Sequence, residues 1–171
     1  MKGHCILSHG LESSPRATKV SALAAAAERL GWSTERPDYS DLDAGGNVAD
    51  IGLRLQRLID RCHAAPRPLV LAGSSMGAFI SAFATLQIRC AGLFLLAPPI
   101  HIDGYPRKLA AAVQPTVIVH GWDDELIPAG DVVRWAQRRR DRLLLVDDSH
   151  RLEDHVQFVA DEFGRFLAAL S

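Results

Sequence analysis

Pro68-Leu69-Val70-Leu71-Ala72-Gly73-Ser74-Ser75-Met76-Gly77 is the stretch that decides the fold. Its first five residues form a short, unbroken apolar run, the pattern of a strand buried on both faces of a parallel sheet. Its last five fit G-x-S-x-G, and a helix is expected from there through about Gln87. The turn between strand and helix is so sharp that its middle residue is strained, and glycines two positions either side leave room for the backbone to fold back. Only Ser75 has both flanking glycines; Ser74 does not. The Ser75 hydroxyl then stands at the strand's C-terminal edge beside a helix N-terminus, where the Met76 N–H can help stabilise an oxyanion. A bare motif match is only a hypothesis; the strand before it and the helix after it give it weight.

Outward from this stretch, short apolar runs alternate with amphipathic helical segments. On the C-terminal side, strands are expected at Gly92 to Ala97, Thr116 to His120 and Leu143 to Asp147. A last helix from about Glu153 to Leu170 carries Val156, Val159, Phe163, Phe166, Leu167 and Leu170 on its inner face. The loop Pro98 to Lys108, which leads into an expected short helix, is too short for a lid domain. On the N-terminal side a strand spans His4 to Ser8 and ends at His9-Gly10. A helix is expected to start near Ser14-Pro15, with Ser14 as its cap, and to stop at Gly31. A short strand from Trp32 to Arg36 follows, then a helix from about Asn47 to His63 with Val48, Ile51, Leu55, Leu58, Ile59 and Cys62 on one face. Six strands alternating with helices imply an α/β fold, a doubly wound, mainly parallel sheet with helices on both faces.

The 171 residues suit a single domain over 1–171, with 48% hydrophobic and 23% charged residues. A net charge of -1 gives no reason to expect nucleic acid or anionic lipid as a partner. The one basic run, Arg138-Arg139-Arg140, reads as a solvated helix end. Cys5, Cys62 and Cys90 are odd in number and widely spaced, which argues against a disulfide framework or a zinc knuckle. The apolar stretch in Met1 to Gly10 is too short for a signal peptide, no run reaches the length of a membrane span, and cytoplasmic residence is the expectation.

A serine hydroxyl needs a base, and the base needs an orienting acid. Trp122-Asp123-Asp124-Glu125-Leu126-Ile127-Pro128 follows one expected strand, and Asp148-Ser149-His150 follows the last, so both lie at the same sheet edge as Ser75. Asp123 and Asp124 both stand open as the acid at this point. Asp147 and Asp148 read as strand-end residues, and His155 falls within the last helix. His9 and His120 each precede a glycine at a strand end and read as structural, bonding loop backbone; His4, His63 and His101 carry no signal.

Taken in order, His9-Gly10 with Ser13-Ser14-Pro15, Gly73 to Gly77, His120-Gly121-Trp122-Asp123-Asp124 with Ile127-Pro128, and Ser149-His150 resemble the alpha/beta hydrolase superfamily, in particular its small, lidless, bacterial esterase-like members. The resemblance covers nearly the whole chain. It implies the strand order 2-1-3-4-5-6, with strands numbered along this chain, and it places the acid at Asp124, three residues before Ile127. It also implies the Leu11 amide as a second oxyanion donor. The chain departs from the family pattern in three places. It begins with what would be the family's third strand, it reads His9-Gly10-Leu11-Glu12 in place of a run of glycines, and Ser149 precedes the histidine where the family often has glycine.

The expected activity is acyl transfer from small or accessible carboxylic esters, or thioesters, by Ser75, His150 and Asp124. Phe79, Ile100, Tyr105, Trp122 and Leu126, with Leu11, are candidates to line an apolar pocket. No cofactor is implied, since neither a nucleotide-binding glycine fingerprint nor a P-loop occurs. Two rival readings are a non-catalytic interaction protein on the same fold and metal-assisted hydrolysis by His120, Asp123, Asp124 and His150. The spacing of those four matches no ligand motif, and His-Glu-x-x-His is absent.

Overall fold

The computed structural model describes residues 1–170. Six strands form one sheet: β1 (His4–Ser8), β2 (Ser33–Glu35), β3 (Leu69–Ser74), β4 (Gly92–Leu96), β5 (Thr116–Gly121) and β6 (Arg142–Val146). Every pairing is parallel and the order is β2-β1-β3-β4-β5-β6. The helices are α1 (Thr18–Arg29), α2 (Ser40–Asp43), α3 (Asp50–Ala64), α4 (Met76–Ala84), α5 (Ala129–Arg139) and α6 (Val156–Leu170).

Strand parity builds the two layers. Cys5, Leu7, Val70, Ala72, Phe94 and Leu96 point to one face and meet α1 and α6 through Leu23, Ala27, Phe163 and Leu167. Ile6, Leu69, Leu71, Leu93, Leu95 and Ile118 point to the other and meet α3, α4 and α5 through Leu58, Ile80, Phe83 and Val132. Because both faces are covered, the central strands are apolar at nearly every position, as the run at Leu69 to Ala72 suggests. The chain winds outward from β1 to β2 and in the other direction from β3 to β6, so the order switches between β1 and β3. The loops leaving these two strands straddle the crevice where open sheets of this kind hold their ligands.

Several local expectations are corrected. Ser14 does not cap α1: its carbonyl accepts the Ala17 amide and its hydroxyl the Arg16 amide, closing a separate turn before the helix starts at Thr18. The last helix is preceded by a 3-10 turn, Glu153–His155, which takes His155 out of α6. The short helix expected directly after Lys108 does not form; residues 109–115, up to β5, are not helical. There, tertiary partners claim the backbone groups that a helix would use. The Leu109 amide donates to Ile100 O, Leu109 O accepts the Trp135 indole, and Ala112 N donates to the Thr85 hydroxyl. The Arg139 guanidinium takes the Ala111 and Ala112 carbonyls.

Five residues other than glycine have backbones in the left-handed region: Glu12, Ser75, Ala97, Arg140 and Leu152. Four of them lie on the loops that leave β1, β3, β4 and β6 at their C-terminal edge; Arg140 ends α5. The three cysteines are free, with Cys5 and Cys62 buried. Among the described residues, no helix is long and apolar enough to cross a membrane.

Candidate active site

Ser75 takes φ 54° and ψ -115°, a strained conformation held from both sides. Its amide donates to Leu96 O and its carbonyl accepts the Phe79 amide. The two motif glycines make the turn possible by close approach. A Cβ on Gly73 would stand 2.2 Å from Gly77 O, and one on Gly77 would stand 2.0 Å from Ser8 O. Helix α4 can therefore start against the end of β1. Gly10 packs beside Ser75, where its own Cβ would meet the serine Cβ at 3.5 Å. Met76 follows Ser75 in the chain and Leu11 follows Gly10, and neither amide donates to an acceptor among the described residues.

The structure brings Ser75, His150 and Asp124 into one line. The Ser75 hydroxyl lies 3.0 Å from His150 Nε2, and His150 Nδ1 lies 2.8 Å from Asp124 Oδ2. With Nδ1–H donating to the carboxylate, Nε2 keeps its lone pair toward the serine. Asp124 is buried, and its Oδ1 accepts the Leu126 and Ile127 amides at 2.9 and 2.7 Å. Burial acts to raise this carboxyl, but the His150 hydrogen bond and the two amides outweigh it, so Asp124 titrates below its ordinary 3.8. Glu125 accepts the His150 amide, which fixes the histidine backbone.

The other candidates stand outside this line, although His120 Nε2 lies 3.4 Å from Asp124 Oδ2. Asp123 is exposed; only its backbone is engaged, donating to Asp148 O. Asp147 is exposed. Asp148 is buried and organises the histidine loop by accepting the Ser149 and Asp154 amides and His155 Nδ1. Buried Ser74 ends β3. His9 donates from Nδ1 to Gly10 O and accepts the Tyr39 amide at Nε2, which pins the loop beside Ser75. His120 donates from Nε2 to Ile127 O. Among the described residues, no group of three or more His, Cys, Asp or Glu side chains is placed to hold a metal ion.

Of the expected pocket residues, Phe79 is fully buried and packs edge-on against Phe83 and Tyr105. Ile100 and Tyr105 are half-buried against the same cluster. Leu11, Trp122 and Leu126 are exposed. The cavity beside Ser75 draws on a different set: Leu11 and Met76 with Leu42, Val48, Ile51 and Ile102, and the charged Asp43 and Arg54. Asp43 is the residue missed. Its Oδ2 accepts the Glu12 amide at 2.9 Å and so ties down the loop that carries Leu11, while its Oδ1 accepts a hydrogen bond from Arg54 Nη2. Arg54 also had a signal in the sequence: it is three residues after Ile51 and four before Leu58, on the apolar face of α3.

These buried groups set a pH dependence. Burial holds His9 and His120 below their ordinary 6.5, against the opposing pull of the carbonyls they bond. The unfolded chain therefore takes up protons that the fold refuses. This contribution to stability is present above about pH 6.5 and is lost as pH falls toward the lowered folded values. Asp124 and Asp148 act in the same sense lower down, contributing above about 3.8 and less as pH falls through their depressed values. Tm, followed by circular dichroism, is expected to decline from pH 7.5 to 5.5 and again below pH 4. A flat profile between 7.5 and 5.5 would contradict the neutral, buried state of the two imidazoles.

A family model for the alpha/beta hydrolase domain matches residues 47–158. A comparison with curated proteins finds no match. Among solved structures, an alpha/beta superfamily protein from Xanthomonas campestris pv. campestris superposes with a TM-score of 0.94 at 53% identity, covering 98% of this chain and 99% of that one. Mouse alpha/beta hydrolase domain-containing protein 10 gives 0.80 at 19% identity, over 100% and 93% of the two chains. Est1E from Butyrivibrio proteoclasticus gives 0.78 at 19%, over 98% and 88%. The last two speak for the fold alone. The family match spans the stretch from α3 to the start of α6, and the Xanthomonas relative matches end to end, so the chain belongs to the alpha/beta hydrolase superfamily.

Proposed function

We propose that this alpha/beta hydrolase is a cytoplasmic serine hydrolase that cleaves small or accessible carboxylic esters or thioesters through an acyl-enzyme on Ser75. The observation that carries this reading is the unbroken hydrogen-bond line from Ser75 through His150 to the buried Asp124. The Ser75 oxygen attacks the substrate carbonyl as its proton passes to His150 Nε2. Asp124 keeps the imidazole in the useful tautomer and stabilises its charged form. The free Met76 and Leu11 amides hold the oxyanion. The intermediate collapses as His150 returns the proton to the leaving alkoxide or thiolate, and water, with His150 again as base, releases the acid.

A fluorophosphonate probe tests this without a guess at substrate. The expected result is one labelled peptide, carrying Ser75 by mass spectrometry, and no label on Ser75→Ala. Labelling elsewhere, or none on folded protein, refutes the assignment. The choice of acid is tested separately. Asp123→Asn is expected to leave kcat/KM for a p-nitrophenyl ester within about twofold, because the exposed carboxylate touches none of the reacting groups. A hundredfold loss would move the orienting role to Asp123.

A further inference from the structure

Beside the nucleophile lies a cavity of about 110 Å³ that holds a buried guanidinium with an unmet hydrogen bond. Arg54 forms part of its wall together with Leu11, Val48, Ile51, Met76 and Ile102. The arginine is 1% exposed. Its Nη2 donates to Asp43 and its guanidinium lies over the Tyr39 ring, 5.2 Å from the centroid, but Nη1 is buried with no hydrogen-bond partner. Buried donors are almost always paired, and leaving one unpaired carries the desolvation cost of the group. In a wall otherwise largely apolar, such a donor points to a ligand oxygen.

Position identifies which half of a substrate enters. The lining includes Met76, which follows Ser75, and Leu11, which follows the Gly10 that packs beside it, and none from the loops that carry Asp124 and His150. A leaving group must face His150, which protonates it, so the cavity on the other side receives the acyl chain. Size restricts that chain. A cavity of 150 Å³ takes a benzene ring, so this one takes about four or five non-hydrogen atoms. Charge restricts it further. The Arg54 cation is already matched by Asp43, and Asp50 also lines the cavity, so an incoming carboxylate would meet a net negative site.

Resting on the serine-hydrolase reading above, we propose that the cavity is an acyl pocket in which Arg54 Nη1 selects short acyl chains bearing an uncharged oxygen acceptor, a keto or ether oxygen. Arg54 is a specificity residue in this scheme. It reads the substrate at a distance from the bond that breaks.

Three p-nitrophenyl esters of nearly one shape test the assignment: 4-oxopentanoate, 4-methylpentanoate and the succinate monoester. Initial rates are corrected with Ser75→Ala as blank. The wild-type protein is expected to favour the oxo ester over the methyl ester by at least about tenfold in kcat/KM, with the succinate slower than the oxo ester. In Arg54→Met and Arg54→Lys the oxo-to-methyl ratio is expected to fall toward one. The ratio is the readout, so a loss common to both esters does not enter it. Where a variant does not fold, the wild-type ratios still decide. A wild-type ratio at or below one, a ratio unchanged in a folded variant, or a succinate ester that is fastest overturns the proposal. Turnover without oxo preference sinks the acyl-pocket assignment alone, whereas no turnover together with an unlabelled Ser75 sinks the hydrolase reading beneath it.

Discussion

Ser75→Ala is expected to reduce kcat/KM for any ester the protein turns over by about 10^4- to 10^6-fold while leaving Tm within about 2 °C of wild type. The loss is large because the three groups work as a unit: with the hydroxyl gone, His150 Nε2 and Asp124 have nothing to activate. The fold is spared because alanine keeps the same φ demand as serine and the half-buried hydroxyl bonds only to His150. Asp124→Asn belongs to the same prediction. An amide can no longer hold the Nδ1–H tautomer with its full charge, and a drop of about 10^4-fold is expected. Kinetics with an activated ester and a thermal melt on the same preparations check both. A Ser75→Ala protein with more than a tenth of wild-type activity would show that another residue attacks.

Gly77→Ala is expected to break the molecule itself. Its methyl would lie 2.0 Å from Ser8 O, 2.5 Å from Ser8 C and 2.7 Å from His9 O, all backbone atoms of β1 and the loop that leaves it. No rotamer relieves a Cβ clash with main chain. Helix α4 must back away from the sheet, which opens the core around Phe79 and Ile80 and displaces the loop bearing Leu11. A loss of about 3 to 5 kcal/mol follows, or roughly 6 to 20 °C in Tm, with much of the protein insoluble on expression. Gly52→Ala is the control. Gly52 sits exposed on α3 with nothing within 4 Å of the added methyl, and the substitution there is expected to stabilise by about 0.5 to 1 kcal/mol. Paired melts of the two variants read out the contrast in sign.

The fold was legible where its causes are local or periodic. Leu69 to Ala72, the Gly73 to Gly77 turn and the apolar stripe of α6 all announce themselves within one window of sequence. Strand order is not periodic information; it came through the resemblance, and the sheet has that order. Where distant partners decide, local reading failed. The stretch after Lys108 has the composition of a helix, yet Trp135, Thr85 and Arg139 capture its backbone. Helix α2 is only four residues long and offers too little pattern to detect. At the site, Ser75 was set by its flanking glycines. Adjacent identical residues cannot by themselves show whether Asp123 or Asp124 is the acid; the resemblance placed it at Asp124, and that is the carboxylate that bonds His150. Phe79 was expected in the pocket because an aromatic one turn past the nucleophile could face either way; it faces the core. Arg54 and Asp43, eleven residues apart, meet only because α2 folds back onto α3.

The left-handed backbones at Glu12, Ser75, Ala97 and Leu152 gather on one rim of the sheet, and this divides the molecule for anyone wishing to make it hardier. Relaxing these residues with glycine would raise thermal tolerance, but they belong to the loops that leave the strands at the site, so robustness gained there is drawn from turnover. Arg140 adopts the same backbone at the foot of α5, outside those loops, with its amide on Gln137 O and the next amide on Ala136 O. Glycine or asparagine suits that cap, and the gain there leaves the reacting groups untouched.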